Sequence, residues 1–200
     1  MTTYRHLPAA PGMPTLLALH GRGGDENDLL GLGDALGGVG LVAPRGPEIQ
    51  PPGYAWFLNR GIGIPVLESF ERRLAELAVW LESIAPALGL GTPLPAVGFS
   101  NGGMMAGALA AAHPDLVSGV ALLSSAYPLP PEIVARGGLS GRAVLAVGGD
   151  DDPFLPVATA AAGVASYRAA GATVTEITRP GGHTIGPQEI AALRGWLLTR

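Results

Sequence analysis

The sequence lacks two residue types altogether. It contains no cysteine, and its twelve basic residues are all arginine, so lysine is absent as well. Without cysteine the chain has no thiol nucleophile, no cysteine-ligated zinc site and no disulfide. Without lysine it can form neither a Walker-type phosphate loop, nor a pyridoxal Schiff base, nor a Ser–Lys dyad. Covalent catalysis by this chain would therefore depend on Ser, Thr, Asp, Glu, His or Tyr.

Charge is also scarce. Charged residues make up 14% of the chain, the formal net charge is −4, and no basic cluster occurs, so nucleic acid and anionic membranes are not expected partners. Hydrophobic residues make up 48% of the 200 residues, which predicts one well-buried domain over residues 1–200. The first 21 residues fit neither a signal peptide nor a membrane-inserted segment, so the cytoplasm is the expected location. The abundance of Ala, Gly, Pro and Arg is typical of a GC-rich bacterial gene.

Short apolar runs alternate with longer segments of helical periodicity. The predicted strands are 15–19, 40–43, 94–99, 117–123, 143–148 and 172–177. The predicted helices are 25–37, 67–88, 102–112, 157–170 and 187–199. Asp25 and Asp28 are expected in the first turn of the first helix, and Pro187 at position N1 of the last. Because the strands are apolar throughout, the expected fold class is α/β, with a mostly parallel sheet covered by helices on both faces.

Three chemically useful groups follow three of these strands. Ser100 lies in "VGFSNGG", a cluster of acids in "GDDDPFLP" (149–156) and His183 in "TRPGGHTI" (178–185). The G-x-S-x-G pattern alone is weak, since 31 glycines and eight serines in 200 residues produce it about 0.2 times by chance. The carboxyl ends of parallel strands, however, share one ligand-binding edge, and the chain order Ser, Asp, His is that of α/β-hydrolases. Together these observations indicate a nucleophile at Ser100 rather than a small residue at a helix start.

A serine hydroxyl needs a base, and His183 is the candidate. His6 lies in a proline-rich leader, His113 is expected at a helix C-terminus, and His20 is expected to shape the loop after the first strand.

Candidates for the acid and for the oxyanion site lie at the same edge of the predicted sheet as Ser100 and His183. Spacing does not separate the three adjacent acids Asp150, Asp151 and Asp152; Pro153 favours Asp152, and Asp150 is the next candidate. The backbone N–H groups of Arg22 and Asn101 are expected to bind the tetrahedral oxyanion.

The long loop over 44–65 opens onto this edge and carries Tyr54, Trp56 and Phe57. These aromatics are candidates for the wall of a substrate pocket, or else anchors packed under the loop. Met104, just after the nucleophile turn, is either a pocket or a core residue. Residues 124–142 are too few for a large lid domain, so access is expected to be open and soluble esters are the expected substrates.

Four motifs taken in order resemble the carboxylesterase/phospholipase family that includes acyl-protein thioesterases. They are "LALHGRGGDENDLL", "GFSNGG", "DDPFLP" and "GGHTI", and the resemblance runs from Thr15 to Leu198. It implies an α/β-hydrolase fold and hydrolysis of carboxylic or thio esters without a metal or organic cofactor. It also implies that Ser100 is the nucleophile, Asp152 the acid and His183 the base, with the oxyanion held by the amides of Arg22 and Asn101.

The chain departs from this family in places. Many relatives have Leu at Arg22, Gln at Asn101 and His-Gly at Gly148-Gly149. The first two positions act through main chain, but an arginine beside the oxyanion site would favour acidic or phosphate-bearing substrates. The short N-terminus indicates that the two leading strands of the fold are reduced to one or lost.

The sequence therefore predicts a serine carboxylesterase with a small-molecule ester as its partner. An acyl thioesterase or lysophospholipase using the same triad is the alternative within the fold. A non-catalytic ligand-binding relative is the alternative from another class. A homodimer is left open.

Overall fold

The computed structural model describes residues 2–135 and 138–199. Its central element is a seven-stranded sheet. Its strand order is β1-β3-β2-β8-β9-β10-β11, and only β1 runs antiparallel to its neighbour. The strands of this sheet are β1 (Tyr4–Leu7), β2 (Thr15–Leu19), β3 (Gly40–Pro44), β8 (Leu94–Phe99), β9 (Val117–Leu123), β10 (Ala143–Gly149) and β11 (Thr173–Arg179). Two small hairpins are formed by β4 (Glu48–Gln50) with β5 (Gly53–Ala55), and by β6 (Asn59–Gly61) with β7 (Ile64–Pro65).

Helices cover both faces of the sheet. They are α1 (Gly31–Ala35), α2 (Leu67–Ala87), α3 (Asn101–Ala112), α4 (Pro131–Val134), α5 (Val157–Ala169) and α6 (Pro187–Leu197). Successive residues of a strand point to opposite faces, and the buried strands are apolar on both. In β9, Leu122 packs with the core shared by α2 and α3, whereas Leu123 packs with the core shared by α1 and α6. Within the described residues, no helix is both long and apolar enough to cross a bilayer.

The predicted α/β class and the mostly parallel sheet are confirmed. Three predicted strands have the bounds expected, and β3 and β10 are each one residue longer. β11 begins one residue later than predicted and ends two residues later, at Arg179. Helix α2 ends within one residue of its predicted C-terminus, and Pro187 occupies the first turn of α6 as expected.

The first predicted helix is wrong in extent. Only Gly31–Ala35 is helical, and residues 26–30 form turns. Asp25 does not cap a helix: its Oδ1 accepts the N–H of Asn27, two residues on, at 2.8 Å. A short aspartate side chain that bonds its own backbone in this way favours a turn over a helix.

Two features at the start and middle of the chain position the site. One leading strand, β1, remains and pairs with β3. The segment 44–65, expected as one long loop, contains the two hairpins β4–β5 and β6–β7. Between β9 and β10 the described residues contain only the four-residue helix α4, in agreement with the absence of a large lid.

Candidate active site

Ser100 lies on a sharp turn between β8 and α3. Its φ is 51° and its ψ −119°, a conformation that a residue other than glycine rarely adopts and that presents the side chain at the end of the strand. The turn is tight because a Cβ on Gly98 would collide with the backbone of Gly102 and Gly103 across it. Ser125 stabilises the turn, because its hydroxyl donates a hydrogen bond to the Ser100 carbonyl at 2.5 Å. Such stored strain is typical of functional sites.

Asp152 is the acid that contacts the histidine. Its side chain is fully buried, and its Oδ2 lies 2.7 Å from Nδ1 of His183. Its Oδ1 accepts the backbone N–H groups of Phe154 and Leu155 at 2.9 and 3.0 Å, so both oxygens are committed and the carboxylate has one orientation.

The two other acids of the cluster are placed elsewhere. Asp151 is exposed, and Asp150 Oδ1 accepts the N–H of Gly181 at 2.9 Å. The structure thus brings Asp152, the favoured candidate, to the imidazole, and gives Asp150 a contact with the histidine loop.

The His183 imidazole is held between two aromatic rings. The ring centroids of Phe99 and Phe154 lie 4.8 and 5.0 Å from that of the imidazole. Because Nδ1 is bonded to Asp152, Nε2 is the ring nitrogen left for a serine hydroxyl.

A cavity of about 210 Å³ joins these groups. It is lined by Arg22, Asn59, Gly61, Ile62, Gly63, Phe99, Ser100, Asn101, Met104, Tyr127, Phe154 and His183. Ser100 and His183 therefore open onto one space, together with both residues expected at the oxyanion site and with Met104. A larger groove of about 1070 Å³ runs between the N-terminus and α2, but neither Ser100 nor His183 lines it. The smaller cavity is the candidate active site because it contains the reactive side chains.

The three loop aromatics differ from their expected role as a pocket wall. None lines the cavity beside Ser100. Trp56 and Phe57 are almost fully buried, with Phe57 packed on Phe70 at a centroid distance of 4.7 Å. Tyr54 lies under the Arg45 guanidinium, which is 4.5 Å from the ring centroid. Trp56 and Phe57 are therefore anchors under the loop, the alternative that the sequence left open, and Tyr54 and Trp56 also border the larger groove.

Trp56 nevertheless contacts two segments that form the site. Its indole N–H donates to the His20 carbonyl at 2.9 Å, and its backbone N–H donates to Oδ1 of Asn101 at 2.8 Å. It thus ties together the two segments that carry the candidate oxyanion donors. The N–H of Asn101 is the first in α3, a position that has no carbonyl partner within the helix.

His20 shapes the loop after β2, in keeping with its expected role. It is buried, with Nδ1 donating to the Gly21 carbonyl at 2.7 Å and Nε2 accepting the Gly46 N–H at 2.9 Å. One donating and one accepting nitrogen define a neutral imidazole. Burial lowers the pKa of His20 below its ordinary value of 6.5, which favours the same neutral form.

The actual pocket wall was missed by sequence reasoning. It comes from the β6–β7 hairpin, from Tyr127 and from Phe154. The Tyr127 hydroxyl donates to the Phe154 carbonyl at 2.6 Å, and burial, followed by the nearby Asp152 charge, raises its pKa to about 12. Phe154 lies inside the quoted "DDPFLP" motif and could have been found there; nothing in the sequence around Tyr127 marks it.

The sheet order, the strained serine turn and the Ser–Asp–His chain order define an α/β-hydrolase, and residues 44–142 match that fold family. Residues 95–199, more than half of the chain, match the Phospholipase/Carboxylesterase family, and the protein belongs to it.

Solved structures of carboxylesterases are similar over the whole chain. A carboxylesterase from Mesorhizobium loti is 30% identical with a TM-score of 0.91, covering 100% of this chain and 95% of that one. The Bacillus cereus carboxylesterase is 25% identical with a TM-score of 0.88, covering 100% and 94%. The chain is also 30% identical over 167 residues to NocK of Nocardia uniformis subsp. tsuyamanensis, whose name gives it as a candidate esterase. That match covers 74% of this chain and 43% of NocK, so the chain spans less than half the length of that relative.

Proposed function

We propose that the protein is a serine carboxylesterase that hydrolyses small to medium carboxylic esters through an acyl-enzyme. The observation that carries the proposal is the 2.7 Å contact between Asp152 and His183 beside a cavity that Ser100 also lines. Asp152 would hold the imidazole with Nε2 free to take the proton of the Ser100 hydroxyl.

Each step of the reaction has a group in the cavity. The Ser100 oxygen attacks the ester carbonyl carbon while His183 Nε2 accepts the hydroxyl proton. The backbone N–H groups of Arg22 and Asn101 bind the oxyanion, and one such donor typically contributes roughly 3–4 kcal/mol of transition-state stabilisation. The imidazolium then protonates the departing alcohol. In the second half, water deprotonated by His183 attacks the acyl-enzyme and releases the acid.

The size of the cavity supports short acyl groups. Its volume of about 210 Å³ is below the roughly 300 Å³ at which pockets for drug-sized ligands begin. Apolar side chains supply much of its wall, with Ile62, Met104 and Phe154 among them. A short aliphatic acyl chain fits both the volume and this lining.

A series of p-nitrophenyl esters from acetate to octanoate tests the proposal, with the Ser100→Ala variant setting the background rate. We expect kcat/KM to be highest for acetate to butyrate and lower for octanoate, without a requirement for micelles. Acid quenching during turnover should trap an acyl group on the peptide that contains Ser100. A steep preference for micellar long chains would favour a lysophospholipase, and faster cleavage of matched thioesters an acyl thioesterase. Absence of turnover and of an acyl adduct in folded protein would favour a ligand-binding relative.

A further inference from the structure

A buried ion pair lies directly behind the loop that carries His183. Arg179 ends β11 and Glu189 lies in the first turn of α6; their side chains are 7% and 0% exposed. The Arg179 Nε donates to Oε1 of Glu189. The residues between β11 and α6, 180–186, form neither helix nor strand.

Three further N–H donors of the guanidinium bind backbone carbonyls of this loop. Nη1 donates to Pro180 at 3.0 Å, and Nη2 donates to Gly182 and Thr184 at 2.9 Å each. The last two carbonyls belong to the residues immediately before and after His183. One rigid, planar group therefore holds the backbone on both sides of the histidine.

Glu189 fixes the far end of the same loop. Its Oε1 pairs with Arg179, while its Oε2 accepts the N–H of Gly186 at 2.9 Å and so caps α6. Gly181 passes so close to the guanidinium that a Cβ there would lie 2.9 Å from Nη1, and its φ of 108° suits only glycine.

We propose that Arg179 and Glu189 form a positioning pair that sets the orientation of the His183 imidazole for catalysis. This inference rests on the proposed function of His183 as the base. Stability alone is a weak reason for such a pair, because a buried ion pair can often be replaced by apolar residues without loss of stability. Here Arg179 also donates three hydrogen bonds to the backbone carbonyls of one short loop, 180–186. A misplacement of about 1 Å at a reacting group can lower the rate about 100-fold.

The test uses Arg179→Lys. Lysine keeps the positive charge beside Glu189, but it has a single nitrogen and cannot reproduce the planar fork that spans the three carbonyls. We expect kcat for p-nitrophenyl acetate to fall about 10- to 100-fold, with KM changed less than about threefold. Labelling of Ser100 by a fluorophosphonate should slow by the same factor as kcat.

Two control variants separate positioning from general damage. Arg168→Gln removes an arginine from an exposed pair with Glu176, whose side chains are 52% and 39% exposed. Leu81→Ala destabilises the core through fully buried Leu81 of α2, which does not line the active-site cavity. Both should keep kcat within about threefold of wild type when assayed well below their melting temperatures.

A double-mutant cycle with Asp152→Asn gives the sharpest readout. If Arg179 acts by aiming the imidazole at Asp152, Arg179→Lys should cost less than about threefold once that acceptor is gone. A folded Arg179→Lys protein with wild-type kcat would overturn the inference, as would an equal loss in both backgrounds. Wild-type protein that fails to hydrolyse esters or to label would instead overturn the proposed function, so the two failures are distinguishable.

Discussion

Replacing Asp152 with asparagine removes the acceptor for the His183 Nδ1 proton and leaves the volume of the side chain unchanged. The carboxylate is fully buried and bonded through both oxygens, to Nδ1 of His183 at 2.7 Å and to two backbone N–H groups of its own loop. The amide oxygen of asparagine would stay with the two N–H donors, so its NH₂ group would face the imidazole. The imidazole would then carry its proton on Nε2, where it cannot act as a base toward Ser100.

In Ser-His-Asp triads this change of tautomer lowers kcat about 10⁴-fold, which corresponds to about 5 kcal/mol of transition-state stabilisation. We expect a loss of that order in Asp152→Asn. The matched control is Asp150→Asn, two residues earlier. Asp150 is exposed, and an asparagine oxygen can still accept the Gly181 N–H that Asp150 accepts at 2.9 Å, so the expected loss is less than about tenfold.

The assay is kcat/KM for p-nitrophenyl acetate on both variants, with Ser100→Ala prepared in the same way to set the background. Circular dichroism and melting temperature establish that each variant is folded. Near-normal turnover by Asp152→Asn, together with a loss of several orders of magnitude in Asp150→Asn, would refute the assignment of the acid.

Further predictions concern the loop, the pocket wall and the substrate. Burial lowers the pKa of His20, so its neutral form contributes stability that is complete above about pH 6.5 and is lost as pH falls through the folded-state pKa. The free energy of urea unfolding should therefore decrease between pH 7.5 and 5, and His20→Gln should make this decrease smaller. Gly63→Ala, at φ 68° and against the Tyr127 ring, should cost about 1–2 kcal/mol in urea unfolding and lower kcat/KM; an unchanged protein would contradict the observed packing. Tyr127→Phe should cost about 0.5–1.5 kcal/mol in the same assay by removing the part-buried hydrogen bond to the Phe154 carbonyl; an unchanged free energy of unfolding would contradict this contribution. Arg22 lines the cavity and makes no ion pair within the described residues, so its charge is available to a substrate carboxylate. Arg22→Gln should therefore lower kcat/KM for mono-p-nitrophenyl succinate several-fold more than for p-nitrophenyl butyrate. Equal losses for the two esters would exclude a preference for acidic substrates.

How far sequence alone could reach depends on the range of the interactions involved. Helix α2 was predictable because its apolar residues repeat at three- and four-residue spacing and pack on one face of the sheet. The sequence predicts the first helix too long because Asp25 is a residue type that favours a helix start. In the structure the Asp25 side chain instead bonds the backbone of Asn27 and forms a turn.

The site residues also differ in whether local sequence or contacts between distant segments determine their positions. Ser100 and His183 could be located because each follows a strand at the same sheet edge. Spacing could not choose among three consecutive aspartates, because the choice depends on the turn in which Asp152 accepts the amides of Phe154 and Leu155. The pocket wall could not be predicted either, since Tyr127 reaches the cavity through contacts between segments distant in sequence.

The most direct measurement of the central claim is the site and rate of labelling by a fluorophosphonate, read by peptide mass spectrometry. We expect one adduct, on the peptide containing Ser100, absent in Ser100→Ala and formed at least about 10³-fold more slowly in His183→Ala. An adduct on a different serine, no adduct in folded wild-type protein, or an unchanged rate in His183→Ala would contradict the proposed triad.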